Sequence, residues 1–402
     1  MEDEIKSWLK NILKEEIEDH SVNVLGNAEK GEGYLSDILY VKLTPKSNNQ
    51  IETYELVLKC NRINQATTPI KEAFRTEMFI YNEVIPAFTK LQTEKGLHNW
   101  FSSVPTCYGT LTTKDVQIIV LENLKTSDYV LWDKKHPFTR KHMDLILEEY
   151  AKFHALSIAL QQHDPQKFKE LSDGLGDTFI REFVKTNNMD TVFGRAALEI
   201  YDLLKGDLDE NTLNTWKILY EKAYFILEGM VDKKETPKVI LHASCWCNNF
   251  MFKYDPADNF SPVRVFVLDW QLSKASSPIL DLSYFIFANI STEDVQHISD
   301  ILNGYYEKLQ FRSSQLGTDL HNLYSKQQFL DDWRKYAKYG ALYACLIYKI
   351  CTTEKDEVVD LTDVSDTDTN FFEAFCYEVK NKVAFKNRAR HVVNYVVENK
   401  LI

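Results

Sequence analysis

The stretch that decides the fold is Leu241-His242-Ala243-Ser244-Cys245-Trp246-Cys247-Asn248-Asn249-Phe250-Met251-Phe252. About twenty residues later the chain reads Val265-Phe266-Val267-Leu268-Asp269-Trp270-Gln271. The apolar residues in and around these stretches predict short β-strands. The polar side chains therefore stand where strands begin or end. His242 and Asn249 lie on a loop, and Asp269 ends the later strand.

This spacing is typical of kinase-fold phosphotransferases, which use H-x-D-x-x-x-x-N on a loop, followed by a hydrophobic strand that ends in Asp. The Asn and the later Asp of that pattern bind the magnesium ions that bridge the ATP phosphates. We therefore interpret Asn249 and Asp269 as metal ligands, because both offer oxygen donors to a hard cation. Taken singly, each residue is also explained by a turn or by the end of a strand.

The loop itself supplies the catalytic candidates, His242 and Ser244. In the motif, the position of Ser244 holds the Asp that takes the proton of the acceptor hydroxyl. A serine hydroxyl is not ionised near neutral pH, and positions 242 to 252 contain no Asp or Glu that could replace the base. Such a base contributes about 10²- to 10⁴-fold to a rate. The sequence therefore predicts strong impairment, without by itself excluding turnover.

Upstream, residues 38–43 and 53–59 predict two strands of an antiparallel hairpin, preceded by a glycine loop. Gly31 and Gly33 could let backbone N–H groups approach a phosphate, and Ser36 ends the same loop. A tight turn explains the two glycines equally well.

Lys59 ends the second strand, from which its ammonium group could reach the α and β phosphates of ATP. Residues 72–88 have helical spacing, with Pro86 near the C-terminal end. We predict Glu77 on this helix as the partner of Lys59, ahead of Glu72 and Glu83. The Leu121-Glu122-Asn123-Leu124 segment after a further strand predicts a hinge, where the backbone of Glu122 and Leu124 meets adenine.

The order of these elements predicts an α+β, two-lobed, protein-kinase-like fold. Residues 1–121 form a small β-rich lobe that binds the ATP phosphates. Residues 122–402 form a large helical lobe with the hinge, the catalytic loop, the metal site and the acceptor site. Amphipathic helical patterns at 141–160, 192–204 and 213–230 support this division.

Composition limits the function classes. The 402 residues include 44% hydrophobic and 26% charged residues, which is typical of globular proteins. A formal net charge of −12 argues against nucleic acid as a partner. No apolar run reaches the roughly 18 residues of a membrane span, and no signal peptide is visible. The seven cysteines are odd in number and scattered, which fits a reducing compartment. We expect a soluble, cytoplasmic protein without a membrane partner.

With these motifs in place, the chain resembles the insect ecdysteroid-kinase-like family, whose relatives include choline kinases and aminoglycoside phosphotransferases. The resemblance spans roughly residues 20 to 395 and is carried by four parts of the sequence: 31–36, the helix at 74–86, the hinge 121–124 with Phe153-His154-Ala155, and 245–249 through 269–271 with Ser277-Pro278-Ile279-Leu280-Asp281-Leu282. It implies a protein that uses ATP and magnesium to phosphorylate a hydroxyl of a steroid hormone or a foreign small molecule. It also implies that Asp281 braces the active-site loop.

Two departures from the family pattern matter. The family usually reads H-G-D where this chain has His242-Ala243-Ser244, and D-F-Q where it has Asp269-Trp270-Gln271. The second change keeps an aromatic residue, whereas the first removes the base. Two hypotheses follow: an impaired kinase that acts on an apolar alcohol, or a pseudokinase that binds a nucleotide, a ligand or a protein.

Other patterns favour ordinary structure. His242, Cys245 and Cys247 lack the paired spacing and the fourth ligand of a zinc site. His242 and Ser244 are only two residues apart and lack a nucleophile elbow, which argues against a hydrolase. The basic run near residues 386–391 is typical of a solvated helix face.

Overall fold

A computed structural model describes residues 2–13, 20–27, 36–46, 53–62, 68–98, 100–175, 189–228, 237–354 and 377–402. Gly31 and Gly33 lie outside the described residues. In the described part, five strands form one antiparallel sheet in the order β1-β2-β3-β5-β4. The strands are β1 His20–Asn27, β2 Asp37–Pro45, β3 Tyr54–Arg62, β4 Cys107–Thr112 and β5 Val116–Glu122.

Alternation along β3 gives the sheet two different faces. Leu56, Leu58 and Cys60 are buried and pack with helix α1 (Glu2–Leu13), which contributes Ile5 and Leu9 to the same core. Because successive side chains of a strand point to opposite faces, Val57 and Lys59 lie on the other side. The pattern of one strand therefore places Lys59 on the face turned away from α1.

The helix predicted at 72–88 is longer and less regular than expected. It runs as α2 (Thr68–Phe79), a π-helical turn (Ile80–Val84) and α3 (Ile85–Glu94). Pro86 does not end the helix, because it occupies the first turn of α3, where its missing N–H is tolerated. The π-turn just before it takes up the change in hydrogen bonding.

The remainder is mostly helical. The helices are α4 Arg140–His163, α5 Pro165–Leu175, α6 Met189–Leu204, α7 Glu210–Glu221, α8 Ala223–Glu228, α9 Pro278–Asn289, α10 Ile298–Gln315, α11 Leu320–Leu323, α12 Lys326–Thr352 and α13 Lys382–Glu398. The single helix predicted from residue 213 onward is two helices, which break at Lys222. Within the described residues, no helix combines the length and apolarity that a membrane crossing requires.

Two small sheets interrupt the helices, as the apolar runs predict. Strands β6 (Val130–Leu131), β8 (Phe250–Asp255) and β9 (Asp258–Val267) form one, and β7 (Val239–Leu241) pairs with β10 (Lys274–Ser276) in the other. The fold is therefore α+β, with a small β-rich lobe and a large helical lobe in a protein-kinase-like order. The exact division at residues 121 and 122 stays a prediction.

The close contact of α9 with α12 depends on one glycine. A Cβ atom at Gly340 would lie 2.1 Å from the carbonyl carbon of Ser283, a distance that real Cβ atoms essentially never show. Glycine therefore lets the two helices approach backbone to backbone. This approach brings the aromatic rings of Tyr284 and Tyr343 to a centroid separation of 4.8 Å.

Candidate active site

A cavity of about 260 Å³ is lined by residues from both lobes. Its walls include most of the described site residues that the sequence predicts: Ser36, Lys59, Glu77, Glu122, Leu124, Ser244, Asn249 and Asp269. His242 is the exception, because it does not line the cavity. The loop and strand motifs thus converge on one place, although they are up to about 230 residues apart in the chain.

Lys59 forms two short ion pairs. Its Nζ lies 2.6 Å from Glu77 Oε2 and 2.6 Å from Asp269 Oδ1. Burial acts to lower the pKa of Lys59, but the two carboxylates outweigh it and the pKa is raised. Burial raises the pKa of Glu77, against the opposing effect of Lys59. We call Lys59, Glu77 and Asp269 the charged cluster.

The geometry separates Glu77 from its two competitors. Glu72 is paired with Arg75 at 3.3 Å on the surface. Glu83 lies 3.8 Å from Lys167, also with an exposed carboxylate. Only the position of Glu77 on α2 turns its carboxylate toward β3, and its side chain is 1% exposed.

Asn249 and Ser244 contact each other at the cavity wall. Asn249 Nδ2 donates to the backbone oxygen and to Oγ of Ser244, each at 2.8 Å. Because the amide nitrogen is engaged in this way, the amide oxygen is the remaining polar atom of Asn249. That oxygen and the Asp269 carboxylate are hard donors that fit magnesium.

His242 is a buried part of the loop. Its Nδ1 accepts from the Tyr150 hydroxyl at 2.8 Å, and its Nε2 donates to the backbone oxygen of Leu268 at 2.8 Å. Burial lowers the pKa of His242. The ring of His242 is therefore neutral, and both of its nitrogens are hydrogen-bonded. Through Leu268 it connects the loop to the residue before Asp269. His242 thus stabilises the loop and does not face the cavity.

Asp281 stabilises the same loop through hydrogen bonds to its backbone. Its two carboxylate oxygens accept from the backbone N–H groups of His242 and Ala243, each at 2.8 Å. His154 Nε2 lies 3.2 Å from the same carboxylate. Burial acts to raise the pKa of Asp281, but the hydrogen bonds from His154 and the loop outweigh it, so the pKa is lowered.

The braced loop has an unusual backbone conformation. Ala243 has φ +61° and Asp269 has φ +63°. Left-handed conformations cost an L-residue such as alanine about 1–2 kcal/mol, whereas a short polar side chain like that of Asp tolerates them better. The loop therefore keeps a backbone that suits glycine at position 243, although alanine is present.

The hinge is fixed to the sheet by its backbone. Glu122 N donates to Thr106 O at 3.0 Å, and Asn123 N donates to Glu55 O at 2.9 Å. The side chain of Asn123 then caps a short 3₁₀ turn that begins at Leu124. Glu122 and Leu124 both line the cavity.

A second group of lining residues comes from the helical lobe, on α6, α9 and α12. We call it the apolar cluster: Phe193, Tyr284, Tyr343, Leu346, Ile347 and Ile350. The ring of Tyr343 lies 4.6 Å from that of Phe193 and 4.8 Å from that of Tyr284, centroid to centroid. Sequence patterns alone show these residues as core positions, because nothing in helical spacing indicates which of them face a cavity.

Two further lining residues carry buried polar atoms to which the sequence analysis gave no role. Tyr81, on the π-turn, is 6% exposed, and Gln271 is 2% exposed. Neither Tyr81 Oη nor Gln271 Nε2 has a hydrogen-bond partner. The sequence could have indicated Tyr81 only through its distance of four residues from Glu77.

The cysteines near the loop do not form a metal site. Cys245 Sγ donates to Asp281 Oδ1 at 3.3 Å, and Cys247 Sγ lies 3.8 Å from Cys351 Sγ. Over the part of the chain that the structure describes, no three His, Cys, Asp or Glu side chains are grouped as a metal would require.

Comparison with known proteins gives one family match. The model of the ecdysteroid kinase-like family matches residues 30–318. That span is well over half of the 402 residues. No curated protein matches the sequence.

Three solved structures are similar to this chain. Choline kinase from Cryptosporidium parvum Iowa II is 10% identical, with 100% of this chain and 97% of that chain covered and a TM-score of 0.46. Choline kinase from Streptococcus pneumoniae is 14% identical, with 99% of each chain covered and a TM-score of 0.43. The GDP complex of aminoglycoside 2'-phosphotransferase-IIIa is 9% identical, with 97% and 99% covered and a TM-score of 0.42.

Proposed function

Since the chain belongs to the ecdysteroid kinase-like family, we propose that it binds ATP with magnesium in the cavity between its lobes and acts on a hydroxyl of an apolar alcohol. An ecdysteroid or a related steroid is the proposed acceptor class. Transfer is slow, because Ser244 occupies the position of the base.

One observation carries this proposal: the charged cluster is complete. Placing a buried lysine between a buried carboxylate and a partly exposed one is expensive unless the charges are paired, and a fold gains little stability from such a cluster. Apolar side chains in place of these three residues would stabilise the fold equally well. Retention of all three charges on a cavity wall is instead what phosphate and metal binding require.

Each residue of the site would have its own role in binding. Lys59 would hold the phosphate oxygens, and Glu77 would keep Lys59 in position. Asn249 and Asp269 would hold magnesium, which neutralises developing charge on the phosphates. Glu122 and Leu124 would present the hinge backbone to adenine.

Ser244 would orient the acceptor without removing its proton in advance. Its Oγ accepts from Asn249 Nδ2 at 2.8 Å, so the hydroxyl hydrogen of Ser244 is free to donate to the acceptor oxygen. Phosphoryl transfer passes through a loose transition state and depends mainly on positioning and charge neutralisation. A serine can therefore support slow transfer, with the proton leaving late to water or to phosphate.

The apolar cluster supports an apolar acceptor. None of its six members carries a charge, and the cavity surface is mostly apolar. A flat hydrocarbon skeleton would replace water against these rings, at roughly 25 cal/mol per Å² of apolar surface buried. A highly charged acceptor would find no counter-charge there.

The alternative is a pseudokinase, which the absence of a charged base at Ser244 favours. In this case nucleotide or ligand binding would stabilise one arrangement of the lobes, and the protein would act through that arrangement. The two functions share the binding site and differ only in turnover.

Calorimetric titration with ATP, with and without magnesium, tests the shared part. We expect binding that depends on magnesium. Absence of binding under both conditions would make the nucleotide site vestigial and overturn the kinase, and only a pseudokinase that binds another ligand or a protein would then stand.

Transfer to an ecdysteroid is then measured for the wild type, Ser244→Asp and Ser244→Asn. We expect Ser244→Asp to raise the rate by about 10²- to 10⁴-fold. The asparagine variant has a similar size without a base and should leave the rate low. If neither the wild type nor Ser244→Asp transfers phosphate while magnesium-dependent ATP binding persists, the pseudokinase is the better description.

A further inference from the structure

Gln271 is a buried amide on the cavity wall whose nitrogen is unpartnered. The residue is 2% exposed, and its Nε2 has no hydrogen-bond partner. A buried donor without a partner destabilises a fold about as much as a lost hydrogen bond does. Such a group is expected to have a use that the free protein does not reveal.

The other buried glutamines among the described residues have hydrogen-bond partners for both amide atoms. Gln92 is 3% exposed, and its amide accepts from Phe101 N at 2.9 Å and donates to Phe101 O at 3.3 Å. Gln117 is 7% exposed and bonds both to Asn61 and to the backbone of Lys71. The fold therefore pairs both atoms of these two amides, which makes the unpaired nitrogen of Gln271 a local exception.

The backbone around Gln271 is fixed against the catalytic loop. Ser273 N donates to Trp270 O at 3.2 Å, which closes a turn around residues 271 and 272. Ser273 Oγ then donates to the backbone oxygen of His242 at 3.4 Å, and Lys274 pairs with Leu241 between β10 and β7. The turn is thus held beside the loop that carries Ser244.

The neighbours of Gln271 lie on the same cavity wall. Asp269, two residues earlier, belongs to the charged cluster, and Leu272, the next residue, lines the cavity as an apolar side chain. The terminal torsion of a glutamine is soft, so its amide can turn toward a ligand atom at low energy. Phosphate oxygens already have Lys59 and the metal residues, whereas the apolar cluster has no charged group to recognise an oxygen.

We propose that Gln271 Nε2 donates a hydrogen bond to a second oxygen of the acceptor, so that the site selects apolar alcohols that carry another oxygen beside the reacting hydroxyl. This inference rests on the proposed function, in which the apolar cluster receives the acceptor. Gln271 is a specificity residue in this scheme and takes no part in the transfer of the proton.

The test compares Gln271→Met with Gln92→Met in the full-length protein. Methionine has a similar length and no donor. In the free protein we expect Gln271→Met to keep or raise the Tm, because no hydrogen bond is lost, and Gln92→Met to lower it. A fall in Tm for Gln271→Met as large as that for Gln92→Met would assign Gln271 a purely structural role and overturn the inference.

The ligand arm uses decalin-2-ol and decalin-2,3-diol as matched probes. We expect the wild type to bind the diol about three- to tenfold more tightly, which corresponds to one net hydrogen bond. Gln271→Met should bind the two probes equally. A preference for the diol that survives in Gln271→Met would overturn the inference.

Titration of the same samples with Mg-ATP separates the two proposals. Unchanged Mg-ATP affinity in Gln271→Met is expected, whereas a weakened affinity would assign the amide to the phosphates and overturn the inference. Failure of the wild type to bind Mg-ATP would remove the proposed function, while a diol preference that depends on Gln271 would still stand.

Discussion

The charged cluster and the apolar cluster line the same cavity but are held in place by different interactions. Lys59 is fixed by two carboxylates, each 2.6 Å away. The rings around Tyr343 are fixed by helix packing, which depends on the bare backbone of Gly340. The first arrangement is sensitive to a lost charge and the second to an added atom. This difference indicates which substitutions should affect nucleotide binding and which should affect the acceptor.

The largest effect is expected from Lys59→Met, which breaks the charged cluster. It leaves the buried Glu77 and the partly exposed Asp269 without their cation, and removal of one partner of a buried ion pair typically destabilises a protein by about 3–5 kcal/mol. Mg-ATP binding should also be lost. Urea denaturation and calorimetry measure the two effects.

Lys42→Met is the matched control, because Lys42 pairs with Glu55 between β2 and β3 but is 38% exposed. An exposed pair contributes about 0–1 kcal/mol. Equal losses in free energy of unfolding for the two variants would contradict the special status of the charged cluster.

A smaller effect is expected from Gly340→Ala, which acts on the apolar cluster. The new Cβ would meet the backbone of Ser283 at 2.1 Å, and overpacking of this kind destabilises by about 1–3 kcal/mol. Separation of α9 from α12 should weaken the binding of an apolar probe such as decalin-2-ol while Mg-ATP still binds.

Gly304→Ala is a control that should change the free energy of unfolding in the opposite direction. Gly304 lies within α10, and a Cβ there would meet nothing within 4 Å. Alanine should raise the free energy of unfolding by about 0.5–1 kcal/mol. If both glycine substitutions stabilise, or if Gly340→Ala selectively abolishes Mg-ATP binding, the distinction between the two clusters fails.

The smallest effect is expected from Ala243→Gly, in the loop that carries Ser244. Relief of the left-handed strain stabilises by about 1–2 kcal/mol, and the added flexibility of the unfolded chain offsets about 0.4–1 kcal/mol of this. A net gain between about 0 and 1.6 kcal/mol should be measurable by denaturation. Ala341→Gly in α12, where the backbone is helical, should instead lose about 1 kcal/mol.

Much of the charged cluster could be predicted from the sequence. Local periodicity places a lysine on an apolar strand, a glutamate on the next helix and an aspartate just after a later strand, although β3 continues three residues past Lys59 to Arg62. Choosing Glu77 over Glu72 and Glu83 required only knowing which side chains share one face of the helix. The α+β class followed from the same patterns and is confirmed.

Other parts of the site could not be predicted, because they depend on contacts between distant segments. His242 was expected among the catalytic residues, but Tyr150 and Leu268 hold it inside the loop. The apolar cluster combines residues from α6, α9 and α12, whose inward faces look like ordinary core in sequence. Strands β1 and β4 and the extension of the helix past Pro86 were missed, because edge strands and a π-turn give weak local signals.

The contact between Lys59 and Asp269 has a consequence for the way magnesium and ATP would bind together. In the free protein Lys59 and Asp269 are paired with each other. The Asp269 carboxylate, which a magnesium ion would need, is engaged by Lys59, and the Lys59 ammonium group, which a phosphate would need, is engaged by Asp269. Under the proposed function, binding would therefore be an exchange of partners, in which each incoming group releases the residue that the other requires. By linkage, such coupling is reciprocal. We expect magnesium and ATP each to bind weakly alone and to enhance the affinity for the other by the same factor.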